Sequence, residues 1–127
     1  MKNYRGYKDL IVYQKAFNLS IKIFYISKNF PKEELYSLTD QIRRSSRSIG
    51  ANIAESWPRR KYEKAFISKL IDSQSETCET IFWLDQASAL NYLNEDYYKE
   101  LSGICDEIQK MLVSMINFPE KFCTQNR

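Results

Sequence analysis

The sequence predicts an all-α protein, an up-down-up-down antiparallel bundle of four helices. The chain has only three glycines and three prolines among its 127 residues, which disfavours the many tight turns that a β-sheet fold requires. Four stretches instead repeat apolar residues at alternating spacings of three and four, as the buried side of a helix does. Short connections make consecutive helices antiparallel neighbours. We therefore expect a single domain over residues 1–127, with helices at about 9–29, 33–57, 62–90 and 95–118.

The first two helices are delimited by prolines. The apolar stripe of the first helix consists of Val12, Ala16, Leu19, Ile23, Ile26 and Phe30. Pro31 stops this helix and can open the second, because proline is tolerated in a first helical turn. Glu33 and Glu34 would then lie where the dipole of the second helix favours acidic side chains. Pro58 ends the second helix, because the residue before a proline avoids the α conformation.

The third and fourth helices differ in how much apolar surface they carry. The third has two adjacent apolar rows, which include Phe66, Leu70, Ile81 and Leu84 on one and Ile67, Ile71, Cys78 and Phe82 on the other. This arc is wider than packing inside one bundle requires, so it predicts oligomerisation. The fourth helix has one regular stripe, with Asn94 as its predicted N-cap and Pro119 after its end.

Composition excludes several classes of protein. No window of 18 or more residues is apolar and uncharged, and the N-terminal residues lack the apolar core of a signal peptide, so we expect a cytoplasmic protein with no membrane partner. Cys78, Cys105 and Cys123 are far apart and lack the spacing of a metal site, so we expect reduced thiols and neither metal nor cofactor. The absence of histidine, of a P-loop and of a dinucleotide-binding glycine turn argues against an enzyme.

Charge is divided unevenly along the chain. Residues 1–61 carry 13 Lys/Arg against 5 Asp/Glu, a net charge of +8, whereas residues 62–127 carry 6 against 11, a net charge of −5. Such a division fits a basic face that attracts polyanions. It fits equally well a pairing of basic helices with acidic ones, within the chain or between chains.

The segment 41–66, QIRRSSRSIGANIAESWPRRKYEKAF, mixes arginines with small residues and allows two interpretations. In the first, the cations contact nucleic-acid phosphates, mostly without regard to sequence. The candidate phosphate contacts are Arg59, Arg60, Lys61, Arg44, Arg47 and Lys15. We expect the basic turn, residues 59–61, to be the main polyanion site.

In the second interpretation the segment makes contacts between helices or subunits. Ser46, Gly50 and Ala54 form an edge of small residues at a spacing of four, which would let another helix approach closely and would offset the cost of a helical glycine. Arg43 lies nearest the core side, and we expect it to be partly buried and paired with Asp72, Glu76 or Glu79. The candidate contacts are Arg43, Ser46, Gly50, Ala54, Asp72, Glu76, Glu79 and Trp83. The protein would then be an interaction scaffold whose arginines serve subunit contacts.

Several segments resemble one family in order and spacing. The segments LIVYQKAFNLSIKIFYISKNFP, YSLTDQIRRSSRSIGANIAES and ETIFWLDQASALNYL, followed by IQKML, are similar to four-helix-bundle proteins encoded in intervening sequences of bacterial 23S rRNA genes. This family includes the accessory variability proteins of diversity-generating retroelements. The resemblance implies a ring-shaped homopentamer and, for the retroelement relatives, binding to RNA or DNA and to a reverse transcriptase. Ser56 and Pro58 stand where the family commonly has glycine, which would make the basic turn stiffer or aim it differently.

Overall fold

The computed structural model describes residues 3–124 and confirms the antiparallel four-helix bundle. Its helices are α1 (Ile11–Ser27), α2 (Leu38–Ser56), α3 (Glu63–Ala89) and α4 (Glu95–Asn117). Each helix packs on the next along the chain, α4 packs back on α1, and α2 and α3 make the most extensive contact. The described part of the chain contains no helix long and apolar enough to cross a membrane.

The apolar stripes predicted from the sequence form the core. Val12, Ala16, Leu19 and Ile23 of α1 are all buried, and they pack with the buried stripes of the other three helices. The buried residues of those helices include Ile42, Ile49, Ile53, Phe66, Leu70, Leu84, Leu101, Ile108 and Leu112. Asn94 caps α4 as predicted, because its side-chain oxygen accepts a hydrogen bond from the Tyr97 amide at 2.8 Å.

The second helix begins at Leu38, later than the sequence predicts. Lys32–Glu34 forms a separate 3-10 turn, and Ser37 adopts a non-helical conformation with φ −128° and ψ −103°. The Glu34 carboxylate accepts hydrogen bonds from the Ser37 hydroxyl at 2.6 Å and from the Leu38 amide at 3.4 Å. Glu34 thus accepts a hydrogen bond from the free Leu38 amide at the start of α2. It does so from outside the helix, and not from a position in the first turn of α2.

Buried hydroxyl groups connect α2 and α3. The Ser73 hydroxyl donates to the Ile49 carbonyl oxygen at 2.8 Å, and the Thr80 hydroxyl lies 2.9 Å from the Ser45 hydroxyl oxygen. All of these side chains are buried. Small polar residues on this side allow the two helices to approach, and each hydroxyl finds a partner, so burial leaves none of them unsatisfied.

The edge of small residues predicted on α2 faces α1 of the same chain. A Cβ atom added to Gly50 would lie 3.7 Å from the Cβ atom of Ala16 and 4.0 Å from the Phe17 amide nitrogen. Ser46 is wholly buried, and Ala54 lines the surface groove between α1 and α2. The edge therefore provides close packing between helices within one subunit.

The three cysteines are free thiols in different environments. Cys105 is buried in the core, and burial raises the pKa of its thiol to about 12. Cys78 is exposed on α3, and Cys123 is half-buried behind the last turn, Pro119–Lys121. The sequence predicts reduced thiols, and it also predicts disorder of the last residues, CTQNR, 123–127. Cys123 packs against the core, however, and the amide of Thr124 donates to the Arg60 carbonyl oxygen at 3.2 Å, while residues 125–127 lie outside the described part.

Candidate nucleic-acid interface

Two arginines of α2 extend from the outer side of the bundle. Arg44 and Arg47 are both exposed, and within residues 3–124 neither forms an ion pair shorter than 4.0 Å. Arg47 lies on the α1 side, where its guanidinium carbon is 5.8 Å from the ring centroid of Phe24. Arg44 lies on the α3 side, close enough to Glu76 to favour its ionised form. The two cations therefore diverge across the outer face of α2.

Arg43 is half-buried, but its partner differs from the predicted carboxylate. Its Nε donates to the Ser27 hydroxyl oxygen at 2.8 Å, and its guanidinium carbon lies 4.8 Å from the ring centroid of Phe24. Both partners belong to α1, which contains no Asp or Glu. Because Arg43 turns toward α1, the acidic residues of α3 are on the wrong side of α2 to reach it.

The acidic residues of α3 have partners of their own. Asp72 lies 3.7 Å from the ammonium group of Lys69, and Glu79 accepts a hydrogen bond from the Trp83 indole at 3.2 Å. Burial, and then the neighbouring charge of Glu79, raises the pKa of Glu76, while Arg44 opposes this shift. Within residues 3–124, the arginines of α2 therefore influence the acidic row of α3 at Glu76.

We expect Arg43→Ala to lower the free energy of unfolding by about 1 kcal/mol. A buried acidic partner left without its cation would make this loss roughly 2–4 kcal/mol. Ser27 is not left unpaired by the substitution, because its hydroxyl still donates to the Phe24 carbonyl oxygen at 3.0 Å. Urea denaturation gives the value, with Arg44→Ala as an exposed control that should change stability by less than about 0.5 kcal/mol. A loss above about 3 kcal/mol for Arg43→Ala would show that it pairs with an acid, for example in a second subunit.

The basic turn between α2 and α3 has three basic side chains, of which one packs against the protein and two are exposed. The Arg60 guanidinium carbon lies 3.8 Å from the ring centroid of Trp57, and its Nε donates to the Trp57 carbonyl oxygen at 2.8 Å. Burial lowers the pKa of Arg60. Arg59 and Lys61 are exposed and, among the residues described, form no ion pair. Arg60 is therefore held against Trp57 at the end of α2, and Arg59 and Lys61 are the accessible charges of the turn.

Lys15 is less available than the sequence suggests. Its ammonium group lies 2.5 Å from the Glu107 carboxylate on α4. Sequence spacing could not reveal this contact, because the two residues are brought together by the packing of α1 on α4.

The antiparallel arrangement of the helices brings further cations close to the basic turn, beyond the phosphate contacts predicted from the sequence. The start of the chain, the turn between α2 and α3 and the end of the chain all meet at one end of the bundle, which we call the basic end. Residues 3–10, 57–64 and 118–124 contain seven Lys/Arg and three Asp/Glu. The added cations are Arg5, Lys8, Lys64 and Lys121. These cations lie near the basic turn because the topology of the bundle brings their segments together, and no local motif predicts this.

Two helices on opposite corners of the bundle carry exposed apolar rows. On α1 the row consists of Phe17, Ile21 and Tyr25, each roughly half exposed, at a spacing of four. On α3 it includes Ile71 and Phe82, also roughly half exposed. The predicted wide arc of α3 therefore reaches the solvent in a single subunit, and α1 has a comparable exposed row.

The described residues contain no group of His, Cys, Asp and Glu side chains arranged to hold a metal ion. The molecule is thus defined as a small antiparallel four-helix bundle with exposed cations on α2 and at the basic end. The family model described as 23S rRNA-intervening sequence protein matches residues 8–114, so the chain belongs to this family.

A solved structure supports the assignment. The chain is similar to a protein of unknown function from the S23 ribosomal protein family of Bacteroides thetaiotaomicron VPI-5482, with 30% sequence identity and a TM-score of 0.76. The alignment covers 84% of this chain and 96% of that one. Among curated proteins, none matches the chain.

Proposed function

We propose that the protein is a non-catalytic homopentamer that binds nucleic acid, RNA in particular, mainly through phosphate contacts in the cytoplasm. The observation that carries this proposal is the set of exposed cations on α2 and the following turn. These are Arg44, Arg47, Arg59 and Lys61, which form no ion pair within residues 3–124. They leave charge available to displace counterions from a polyanion.

The surroundings of these cations favour a polyanion over an acidic peptide of fixed shape. The neighbouring α1 has no acidic residue, and the cations are spread from the middle of α2 to the basic end rather than gathered in one pocket. An extended array suits a long backbone of repeating charges. Tyr62, which is mostly exposed beside the turn, offers a flat ring for a base, and such stacking is tolerant of sequence.

The exposed apolar rows of α1 and α3 support the oligomeric part of the proposal. They occupy different surfaces of one molecule, so contact between the α1 row of one copy and the α3 row of the next would be head-to-tail. Contacts of this kind close into rings when the rotation between copies permits. A ring would place every basic end at one level, and many weak phosphate contacts would then act together.

The second candidate is a protein-interaction scaffold or an accessory subunit, for example of a reverse transcriptase. Arg43, Arg60 and Lys15 are already used in contacts within the chain, which reduces the charge available to phosphate. The same apolar rows could then receive a different protein. In this alternative the basic residues would contribute to packing and solubility, and nucleic-acid binding would be absent.

Salt dependence distinguishes the two candidates. We expect labelled single-stranded RNA of about 40 nucleotides to bind, measured by fluorescence anisotropy, with an affinity that falls steeply between about 50 and about 200 mM salt. DNA of the same length tests the preference for RNA. No anisotropy change at the lower salt would contradict nucleic-acid binding and favour the scaffold, while a salt-independent affinity would show that phosphate contacts do not dominate.

A further inference from the structure

A cleft of about 500 Å³ opens at the end of the bundle opposite the basic end. It lies between the start of α2 and the last turns of α3. Its side chains combine aromatic, apolar, amide and acidic groups; the relevant ones are Glu34, Tyr36, Gln41, Trp83, Gln86 and Leu90. Tyr36 is 91% exposed, although a ring of this size usually gains free energy by burial.

The Glu34 carboxylate is held firmly in the wall of this cleft. It accepts hydrogen bonds from Ser37, Leu38 and the Tyr92 hydroxyl, the last at 2.9 Å. The hydrogen bonds from Ser37 and then Tyr92 lower the pKa of Glu34, so the group is ionised at neutral pH. A carboxylate has about four acceptor positions, and three donors leave one of them open.

Acidic residues outnumber basic ones around the cleft, although Lys32 lies in the same 3-10 turn as Glu33 and Glu34. Glu34 lines the cleft, Glu79 contacts the lining residue Trp83, and Glu33 and Asp40 are sequence neighbours of lining residues. Across the described part of the chain none of these four acids forms an ion pair within 4.0 Å. No lysine or arginine among residues 3–124 lines the cleft. Glu79 also positions the Trp83 indole through a hydrogen bond of 3.2 Å. The site would repel phosphate and attract a cation.

We propose that this cleft binds an arginine side chain from an extended segment of a different protein. The guanidinium group would stack on Trp83 and donate to the open acceptor position of Glu34, and the amide oxygens of Gln41 and Gln86 would accept its remaining N–H groups. A planar guanidinium suits this combination better than an ammonium group, because it can stack and donate sideways at once. An apolar residue beside the arginine would cover Leu90 and Tyr36.

This inference does not depend on nucleic-acid binding, because it concerns the opposite end of the bundle and the opposite charge. The probe is a capped tetrapeptide of alternating arginine and leucine, titrated into the whole chain. The chain has two tryptophans, so the indole N–H signals in NMR spectra report separately on Trp83 in the cleft and on buried Trp57 at the basic end. We expect the Trp83 signal to shift with saturation while the Trp57 signal stays in place.

Matched variants separate the cleft from general surface charge. Glu34→Gln should weaken peptide binding roughly tenfold, because it removes a charge-assisted hydrogen bond. Glu33→Gln removes the same charge one residue away, outside the lining of the cleft, and should change affinity by about twofold or less. Gln86→Lys puts a cation in the cleft from an exposed position and should abolish binding while the circular dichroism spectrum stays unchanged.

Further controls test the ligand chemistry. A peptide with citrulline in place of arginine keeps the shape but not the charge, and it should not bind. Equal weakening by Glu34→Gln and Glu33→Gln, or an unmoved Trp83 signal, would overturn the proposal. A change in the oligomeric mass caused by Gln86→Lys would also overturn it, since the occupant would then be a second copy of this chain.

Discussion

Replacing Ser46 by leucine is expected to lower the free energy of unfolding by about 1–3 kcal/mol. Ser46 is wholly buried on the edge of α2 that packs against α1, and its hydroxyl donates to the Arg43 carbonyl oxygen of its own helix. A leucine side chain there would have to push the two helices apart. Urea denaturation followed by circular dichroism measures the loss.

Gly50→Ala is the matched control on the same edge, and it should change the free energy of unfolding in the opposite direction. The added Cβ atom meets its nearest neighbours at 3.7–4.0 Å, which is ordinary van der Waals contact. Alanine also removes the helix penalty of glycine, so stability should rise by up to about 1 kcal/mol. An unchanged stability for Ser46→Leu would contradict the close packing of α1 on α2. Destabilisation by Gly50→Ala would instead mean that the two helices approach more closely at Gly50 than 3.7–4.0 Å allows.

Replacing Arg44, Arg47, Arg59 and Lys61 together by serine is expected to weaken RNA binding by more than about a hundredfold at low salt. Each lost phosphate contact should also reduce the slope of log affinity against log salt, by about 3 in total for single-stranded RNA. All four side chains are exposed and form no ion pair with the described residues. The melting temperature should therefore change little.

The control for this variant removes the same charge elsewhere. Four other exposed lysines, at the opposite end and on α4, can be changed to serine together: Lys28, Lys32, Lys99 and Lys110. If the exposed cations of α2 and the turn form the site, this control should retain most of the affinity. Equal losses in both variants would mean that net charge, and not a particular surface, governs binding.

The sequence predicted the fold because each helix satisfies a local rule. Apolar spacing defines the buried sides, prolines delimit helices, and Asn94 caps α4 through an atom three residues from its partner. The start of α2 was misplaced because Glu34 acts on it from a separate turn. That arrangement depends on tertiary contact with Tyr92 as well as on the local sequence.

The candidate site was less predictable because its charges are sorted by long-range packing. Arg43 pairs with Ser27 on α1, and Lys15 pairs with Glu107 on α4. Helical spacing gives the side of a helix on which a residue lies, but not which neighbour occupies that side. The local pattern of residues 59–61 identifies only part of the basic end, because the rest comes from distant segments. The cleft beside Glu34 is assembled entirely from distant segments, so no local pattern identifies it.

The most direct test of the account is sedimentation of the protein with labelled single-stranded RNA at low and at high salt. At low salt the RNA should sediment with a pentamer of 15.1 kDa chains. At high salt the RNA should be released, because its contacts are ionic, while the pentamer persists through its apolar rows. A monomer that leaves the RNA unbound at low salt would contradict both the assembly and the proposed function.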